Sequence, residues 1–124
     1  MSYNERGLNA AVDGVTGLGE YLAPCTGDPG TDGSNIDSDV TPLIANWAGA
    51  GSGSSDSEQV GWDIPEADLG TSRDYSHFAV ITEPDGEGAY DYVCGGELDQ
   101  TESFSDNGGT LNFTGTITAE DGSA

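Results

Sequence analysis

The sequence predicts a mainly β protein, an antiparallel, jelly-roll-like β-sandwich with one short N-terminal helix. Apolar residues alternate with polar ones in short runs, which is the pattern of strands with one buried face. Turns are expected between these runs, because 20 of the 124 residues are glycines. Short strands at such spacing are typical of two packed antiparallel sheets.

The chain is predicted to be a single domain, residues 1–124. This length supports one modest core but not two. The helical segment is predicted over residues 1–19, the sandwich over 20–118, and a polar tail over 119–124. No run approaches the roughly 18 apolar residues that span a bilayer, and the N-terminus lacks the pattern of a signal peptide. We therefore expect no membrane insertion.

The first elements are a helix and a strand. The helix is predicted over residues 5–15, where apolar residues recur at spacings of three and four, with Asn4 as its cap. Glycines end it, and Tyr21–Cys25 is the first predicted strand. The following run, residues 25–39, holds three glycines, a proline and four aspartates, so it cannot continue a regular element. We predict two turns there, at the sequences DPG and DG.

The remaining strands follow in chain order. Residues 42–50 and 58–64 alternate as strands do, with a Gly/Ser loop between them. A hairpin is predicted over residues 75–94, turning at the sequence EPDGEG. Residues 97–104 and 110–118 are predicted to pair as a second hairpin around SDNGG.

The charge is the most unusual property of the sequence. Two arginines and no lysine stand against 23 acidic residues, which gives a net charge of −21. In dilute buffer this excess repels itself and opposes folding, whereas at molar salt the Debye length falls to about 3 Å. The composition therefore indicates adaptation to high salt. It also excludes nucleic acid as a partner, since phosphate binding needs clustered Lys and Arg.

Intrinsic disorder is the alternative explanation of this composition. Leu, Ile, Val and Phe together make only 21 of the 124 residues, a share that is low for a folded domain. Three features favour a fold: the aromatic area of two tryptophans and five tyrosines, the dispersed acidic residues, and the apolar alternation. We expect a folded chain in high salt.

The sequence shows no pattern of catalysis. The single histidine, His77, lies inside a predicted strand without a nucleophile motif beside it. A pair of carboxylates is not evidence of a catalytic site in this sequence, because with 23 acidic residues some must lie close together by chance. We expect a protein that is not an enzyme; hydrolase activity lost on changing His77 would contradict this.

The acidic turn is the candidate cation site. Asp28, Asp32 and Asp37 are predicted to converge as oxygen ligands for Ca²⁺, Mg²⁺, Na⁺ or K⁺. The spacing departs from an EF-hand loop, because Gly30 stands where a loop beginning at Asp28 needs its second acid. Turn formation by the same aspartates without a cation is the alternative, and no cofactor is required.

The two cysteines, Cys25 and Cys94, lie near predicted strand ends. Their pairing cannot be read from the sequence. A disulfide and two buried thiols both remain open, and thiols are favoured if the protein assembles in a reducing cytoplasm.

Two stretches are distinctive, TGDPGTDGSNID at residues 26–37 and CGGELD at residues 94–99. Around them, LNAAVDGV, YLAPC, IANWAGA, HFAVIT and TLNFTGTIT follow in order. Together, over about residues 8–117, they resemble a family of small virion proteins of tailed viruses, commonly called phage tail fibre proteins. Combined with the acidic composition, the resemblance implies a virion protein of a virus of halophilic archaea, made in the host cytoplasm at high salt.

The resemblance implies a structural role as a small surface subunit: a capsid decoration, a turret or a tail appendage. We expect a homo-oligomer, because a small domain with few aliphatic residues gains by burying apolar patches against its own copies. The candidate contacts are Leu8, Val12, Val15, Tyr90 and Tyr92, for which the chain's own core is the alternative. Other virion proteins are the remaining expected partners.

A carbohydrate-binding adhesin that contacts glycans of the host surface is the alternative function. Such a module needs exposed aromatic side chains, and Trp47, Trp62 and Tyr75 are its candidate platforms.

Overall fold

The computed structural model describes residues 5–49, 51 and 54–118, with side chains from Val12 onward. It contains a helix and eight strands: α1 (Glu5–Leu18), β1 (Tyr21–Cys25), β2 (Leu43–Ile44), β3 (Ser54–Asp56), β4 (Val60–Ile64), β5 (Ser72–Ile81), β6 (Tyr92–Ser105), β7 (Gly109–Phe113) and β8 (Thr116–Thr118). All strand pairs are antiparallel. The predicted class, mainly β and sandwich-like with one short helix, is confirmed.

The largest sheet has four strands in the order β2-β1-β5-β6. The other four strands form two separate two-stranded sheets, β4 with β7 and β3 with β8. The β4–β7 pair packs across one face of the large sheet, and α1 lies beside β3 and β8. The result is two layers that do not close on each other.

The main core lies between these layers. In β4 the residues Val60, Trp62 and Ile64 are buried and their neighbours exposed, as the alternation predicts. The Trp62 ring stacks on Phe113 at 5.3 Å between centroids, and its indole nitrogen donates to the Leu22 carbonyl at 3.0 Å. Burial of a large apolar side chain is worth about 1.5–3 kcal/mol, so this layer supplies much of the stability.

The opposite face of the large sheet is also buried. Ala23, Cys25, Ala79 and Ile81 form a second core cluster there. Loop residues of 26–41 and 82–91 cover it, because Ile36 and Tyr90 pack against the cluster. Loops therefore replace a third layer of regular structure.

The helix is longer than the sequence predicts. It continues past Gly14 and Gly17 to Leu18, and the Gly19 amide donates to the Val15 carbonyl at 2.8 Å. Gly19 ends it at a crowded position, since a Cβ there would overlap the Val80 side chain. A residue without a side chain is therefore required directly after the helix.

The predicted strand over residues 42–50 is mostly wrong. Only Leu43–Ile44 pairs, because Asn46 has a φ of 51° and turns the chain out of the sheet. The Trp47 side chain reaches the end of α1, where its indole nitrogen donates to the Gly19 carbonyl at 2.7 Å.

The predicted second hairpin is also wrong. β6 continues through Gly95 and Gly96 and stays paired with β5 as far as Ser105. β7 pairs with β4 and β8 with β3 instead. The turn after β6 redirects the chain: Gly108 has a φ of 71° and packs on the backbone at Ile64, where a Cβ would not fit.

Both cysteines are free thiols. Cys25 lies opposite His77 and Cys94 opposite Val80 on the shared neighbour β5. Residues 77 and 80 point to opposite faces of that strand, so the two thiols lie on different sides of the sheet. The structure therefore has two free thiols rather than a disulfide, with Cys25 buried and Cys94 half-buried.

Candidate functional site

The acidic loop, residues 26–41, is held in shape by its own aspartates. An Asp28 carboxylate oxygen accepts from the Gly30 amide at 2.8 Å. An Asp32 oxygen accepts from the Ser34 hydroxyl at 2.6 Å and from the Ser34 amide at 3.2 Å. Hydrogen bonds from Ser34 lower the pKa of Asp32. Each carboxylate thus stabilises its own turn, and Gly30 takes positive φ as the DPG turn predicts.

Asp37 anchors the end of this loop to the large sheet. One of its oxygens accepts from the Tyr75 hydroxyl at 2.6 Å and from an Arg73 guanidinium nitrogen at 3.0 Å. Its other oxygen accepts from the Asp39 amide at 3.0 Å. Burial raises the pKa of Asp37, but the bonds from Tyr75, Asp39 and Arg73 outweigh it and hold the pKa below its usual range. Burial, followed by the bond to Asp37, raises the pKa of Tyr75.

Arg73 is the one cationic side chain, apart from the histidine, among the side chains that the structure describes, which begin at Val12. The same guanidinium nitrogen that contacts Asp37 also donates to Asp39 at 3.2 Å. The scarce positive charge therefore holds the acidic loop against β5. No local sequence pattern predicts this cluster, since Arg73 and Tyr75 are 36 and 38 positions from Asp37.

The acidic loop also contacts β6 directly. The Tyr92 hydroxyl donates to the Gly30 carbonyl at 3.0 Å. A Cβ at Gly33 would lie 2.9 Å from the Cβ of Tyr92, and one at Gly95 would lie 2.6 Å from Cγ of Pro29. The two most distinctive stretches of the sequence, residues 26–37 and 94–99, are therefore packed against each other.

A groove lies beside the acidic loop, with a volume of about 410 Å³. We name it the tyrosine groove, because Tyr21 and Tyr90 line it together with Pro42 and Pro84. Ser38, Thr41 and Asp37 add polar groups to the lining. Pockets of this size with aromatic walls and few polar groups are typical of small-ligand sites.

The loop on the other side of the groove, residues 82–91, is also held in shape by its own hydrogen bonds. An Asp85 oxygen accepts from the amides of Glu87 at 2.8 Å and of Ala89 at 3.0 Å. The Thr82 hydroxyl accepts from the Asp91 amide at 2.8 Å. Because both flanking loops are internally bonded, the groove is preformed.

The predicted cation ligands do not come together. Asp28, Asp32 and Asp37 each bond to their own turn or to β5, as described above. Within residues 5–49, 51 and 54–118, no three acidic, thiol or imidazole side chains form a group able to hold a metal ion. A cation at these aspartates stays a prediction.

The predicted self-association residues fall in different environments. Val12 is 1% exposed and belongs to the chain's own core, so it is not available to a second copy. Val15, Tyr90 and Tyr92 are half-buried. The side chain of Leu8 lies outside the described residues.

The aromatic platforms proposed for an adhesin are largely inaccessible. Trp62 and Tyr75 are fully buried, and Trp47 is half-buried with its indole nitrogen bonded to Gly19. A glycan would have to contact other aromatic residues, such as Tyr21 and Tyr90, which line the tyrosine groove.

His77 bonds to its neighbour in the chain. The Ser76 hydroxyl lies 2.7 Å from Nδ1 of His77, and an oxygen of Glu97 lies 4.0 Å from Nε2. Glu97 is directly opposite on β6 and is 84% exposed. Neither Ser76 nor His77 lines the tyrosine groove.

Stability in molar KCl is expected to fall as the pH drops below about 4. The pKa of Asp37 is lower in the folded chain than in the unfolded one, so its contribution is complete above the unfolded value of about 3.9 and is lost as pH falls through the folded value. Urea unfolding from neutral to acid pH measures this. Asp37→Asn should flatten the dependence; a native chain whose stability does not fall would contradict the prediction.

Comparison of the sequence with protein-family models gives no match, and neither does comparison with curated proteins. Among the described residues, no helix combines the length and hydrophobicity needed to cross a membrane.

Proposed function

We propose that the chain is a non-enzymatic structural protein of a tailed virus of halophilic archaea, a small surface subunit that serves as a capsid decoration, turret or tail appendage. The observation that carries this proposal is the packing of residues 26–37 against residues 94–99. These stretches are the most specific part of the resemblance to small virion proteins.

The contacts give both stretches a structural role. Gly33 and Gly95 are needed because Tyr92 and Pro29 pack against them. Asp28, Pro29 and Gly30 form the turn whose carbonyl accepts from Tyr92. The aspartates of residues 26–37 bond to the turns of the loop or to β5, and these contacts support a scaffold rather than an enzyme.

Assembly with copies of itself is part of the proposal. Among the described large apolar residues, Leu18 is 67% and Ile44 48% exposed. Ile44 pairs with Tyr21, three residues after Leu18. Burial of such side chains between copies adds apolar area that the small core lacks. Molar salt screens the repulsion between copies of charge −21. Sedimentation in molar KCl tests this, and a monomer at high concentration that also fails to assemble on particles would contradict it.

Immunogold electron microscopy of purified halophilic virus particles tests the location. With antibody against this chain, gold is expected on the particle, and its position separates a head decoration from a tail appendage. Intact particles without gold, from infected cells that contain the protein, would refute the virion role and indicate an assembly factor or a host protein.

Binding of host surface glycans is a second candidate, and the tyrosine groove favours it. A neutral sugar can stack on Tyr21 or Tyr90 while its hydroxyls bond to Ser38 and Thr41. Glycans released from the host surface are expected to bind in molar KCl, and Tyr90→Ala should weaken binding about tenfold. Leu69→Ala, at a residue 95% exposed, is the control. Equal binding by both variants would show that the tyrosine groove is not the glycan-binding site.

A further inference from the structure

The strands β6 and β7 leave a gap between them. β6 is the last strand of the large sheet, and β7 has only β4 as a partner, so each has one unpaired edge within the described chain. Although a short turn, residues 106–108, joins them, their Cα atoms are more than 8 Å apart over most of their length. Hydrogen-bonded neighbours lie about 4.7–4.9 Å apart. The separation is therefore too wide for β6 and β7 to pair directly.

We name this gap the strand cleft; its volume is about 440 Å³. Four apolar side chains contribute to its lining: Phe78, Leu98, Leu111 and Phe113. Three carboxylates also line it, from Glu97, Asp99 and Glu102 of β6. Leu111 is buried and Phe113 half-buried, whereas Glu97 and Asp99 are exposed. The cleft thus has an apolar interior and an acidic rim.

We propose that the strand cleft accepts an extended segment of another protein, with apolar and basic side chains in alternation. The backbone of the segment pairs with the free edges of β6 and β7, as in β-strand addition. Its apolar side chains enter the interior, and its lysines or arginines face the three carboxylates. The bound segment joins the two sheets into one, in the order β2-β1-β5-β6-segment-β7-β4.

Charge identifies the occupant as another protein. This chain contains two arginines and no lysine, and Arg73 already bonds to Asp37 and Asp39. A second copy of this chain therefore does not supply the basic, alternating segment that the cleft fits.

A protected edge is the competing explanation. β6 is irregular at the cleft, because the register shifts between Tyr75, opposite Glu102, and His77, opposite Glu97. Bulges and charges are devices by which proteins prevent edge strands from pairing. If that is their only role here, no peptide binds, so a binding experiment separates the two explanations. The proposal does not depend on the particle location of the protein.

The probe is a fluorescent peptide of alternating valine and lysine, measured by anisotropy with the full chain in molar KCl. It is expected to bind, and the same peptide with N-methylated backbone amides should bind at least about tenfold more weakly because it cannot pair with a strand edge. A peptide with glutamate in place of lysine should also bind about tenfold more weakly. Amide exchange should slow in β6 and β7 when the first peptide is bound.

Matched variants test whether the carboxylates of the acidic rim contribute to binding. The triple variant E97Q/D99N/E102Q is expected to weaken binding of the lysine peptide by about threefold to tenfold. The control, E66Q/D68N/E83Q, removes the same charge from exposed residues elsewhere and should bind as the native chain does. No binding of the lysine peptide, equal binding of its N-methylated form, equal binding by the two triple variants, or protection outside β6 and β7 would each overturn the proposal.

Discussion

Gly95→Ala is expected to lower the free energy of unfolding by about 2–4 kcal/mol. The new Cβ would lie 2.6 Å from the carbonyl oxygen of Phe78, 2.6 Å from Cγ of Pro29 and 2.9 Å from the Tyr92 hydroxyl. Phe78 belongs to β5, which is paired on both sides, so its carbonyl cannot move without disturbing the sheet. The substitution also separates the acidic loop from β6.

Urea unfolding in molar KCl measures the change, and Gly86→Ala is the matched control. No atom lies within 4 Å of a Cβ built at Gly86, and its φ is not in the left-handed region. The control should stay within about 0.5–1 kcal/mol of the native chain, on either side. Equal stability of the two variants would show that the packing of Pro29 on β6 contributes little.

Asp37→Ala is expected to cost a similar amount, about 2–4 kcal/mol. The substitution removes the acceptor of the Tyr75 hydroxyl on a fully buried residue, and it also removes the partner of the Arg73 guanidinium. Only 11% of the Asp37 side chain is exposed, so water replaces these bonds poorly. The acidic loop should then detach from β5.

Asp39→Ala is the control for this prediction. Asp39 contacts the same guanidinium at 3.2 Å, but its side chain is 65% exposed, and exposed ion pairs contribute about 0–1 kcal/mol. Tyr75→Phe should fall between the two, near 1 kcal/mol, since it removes one bond and leaves Arg73 paired. Unfolding curves and amide exchange of residues 26–41 distinguish these cases. If Asp37→Ala cost no more than Asp39→Ala, the role assigned to Asp37 would be wrong.

Local patterns were sufficient to place a single strand with one buried face and a hairpin joined by a short turn. The alternation of Val60, Trp62 and Ile64 predicted β4, and the turn at Asp85 predicted the β5–β6 hairpin. The partners of β7 and β8 were not predictable in this way. They depend on how the turn at Gly108 packs against Ile64, a contact between residues 44 positions apart.

The same distinction applies to the candidate site. The turns of the acidic loop follow from its Asp, Pro and Gly residues, and Gly30 and Gly33 have the positive φ that those turns require. The attachment of the loop depends on Asp37, Arg73 and Tyr75, which no local pattern connects. Among 23 acidic residues, the sequence alone offers no means to single out Asp37.

The acidic loop covers one face of the large sheet, and this role restricts how the length of the loop can change during evolution. A loop that serves as a layer of the core has a fixed length, because an insertion would lift Ile36 from the cluster of Ala23, Cys25, Ala79 and Ile81. Insertions and deletions should instead accumulate around Gly86, where no atom lies near a Cβ. In related sequences, residues 26–41 should therefore vary in side chains but not in number, unlike an ordinary surface loop.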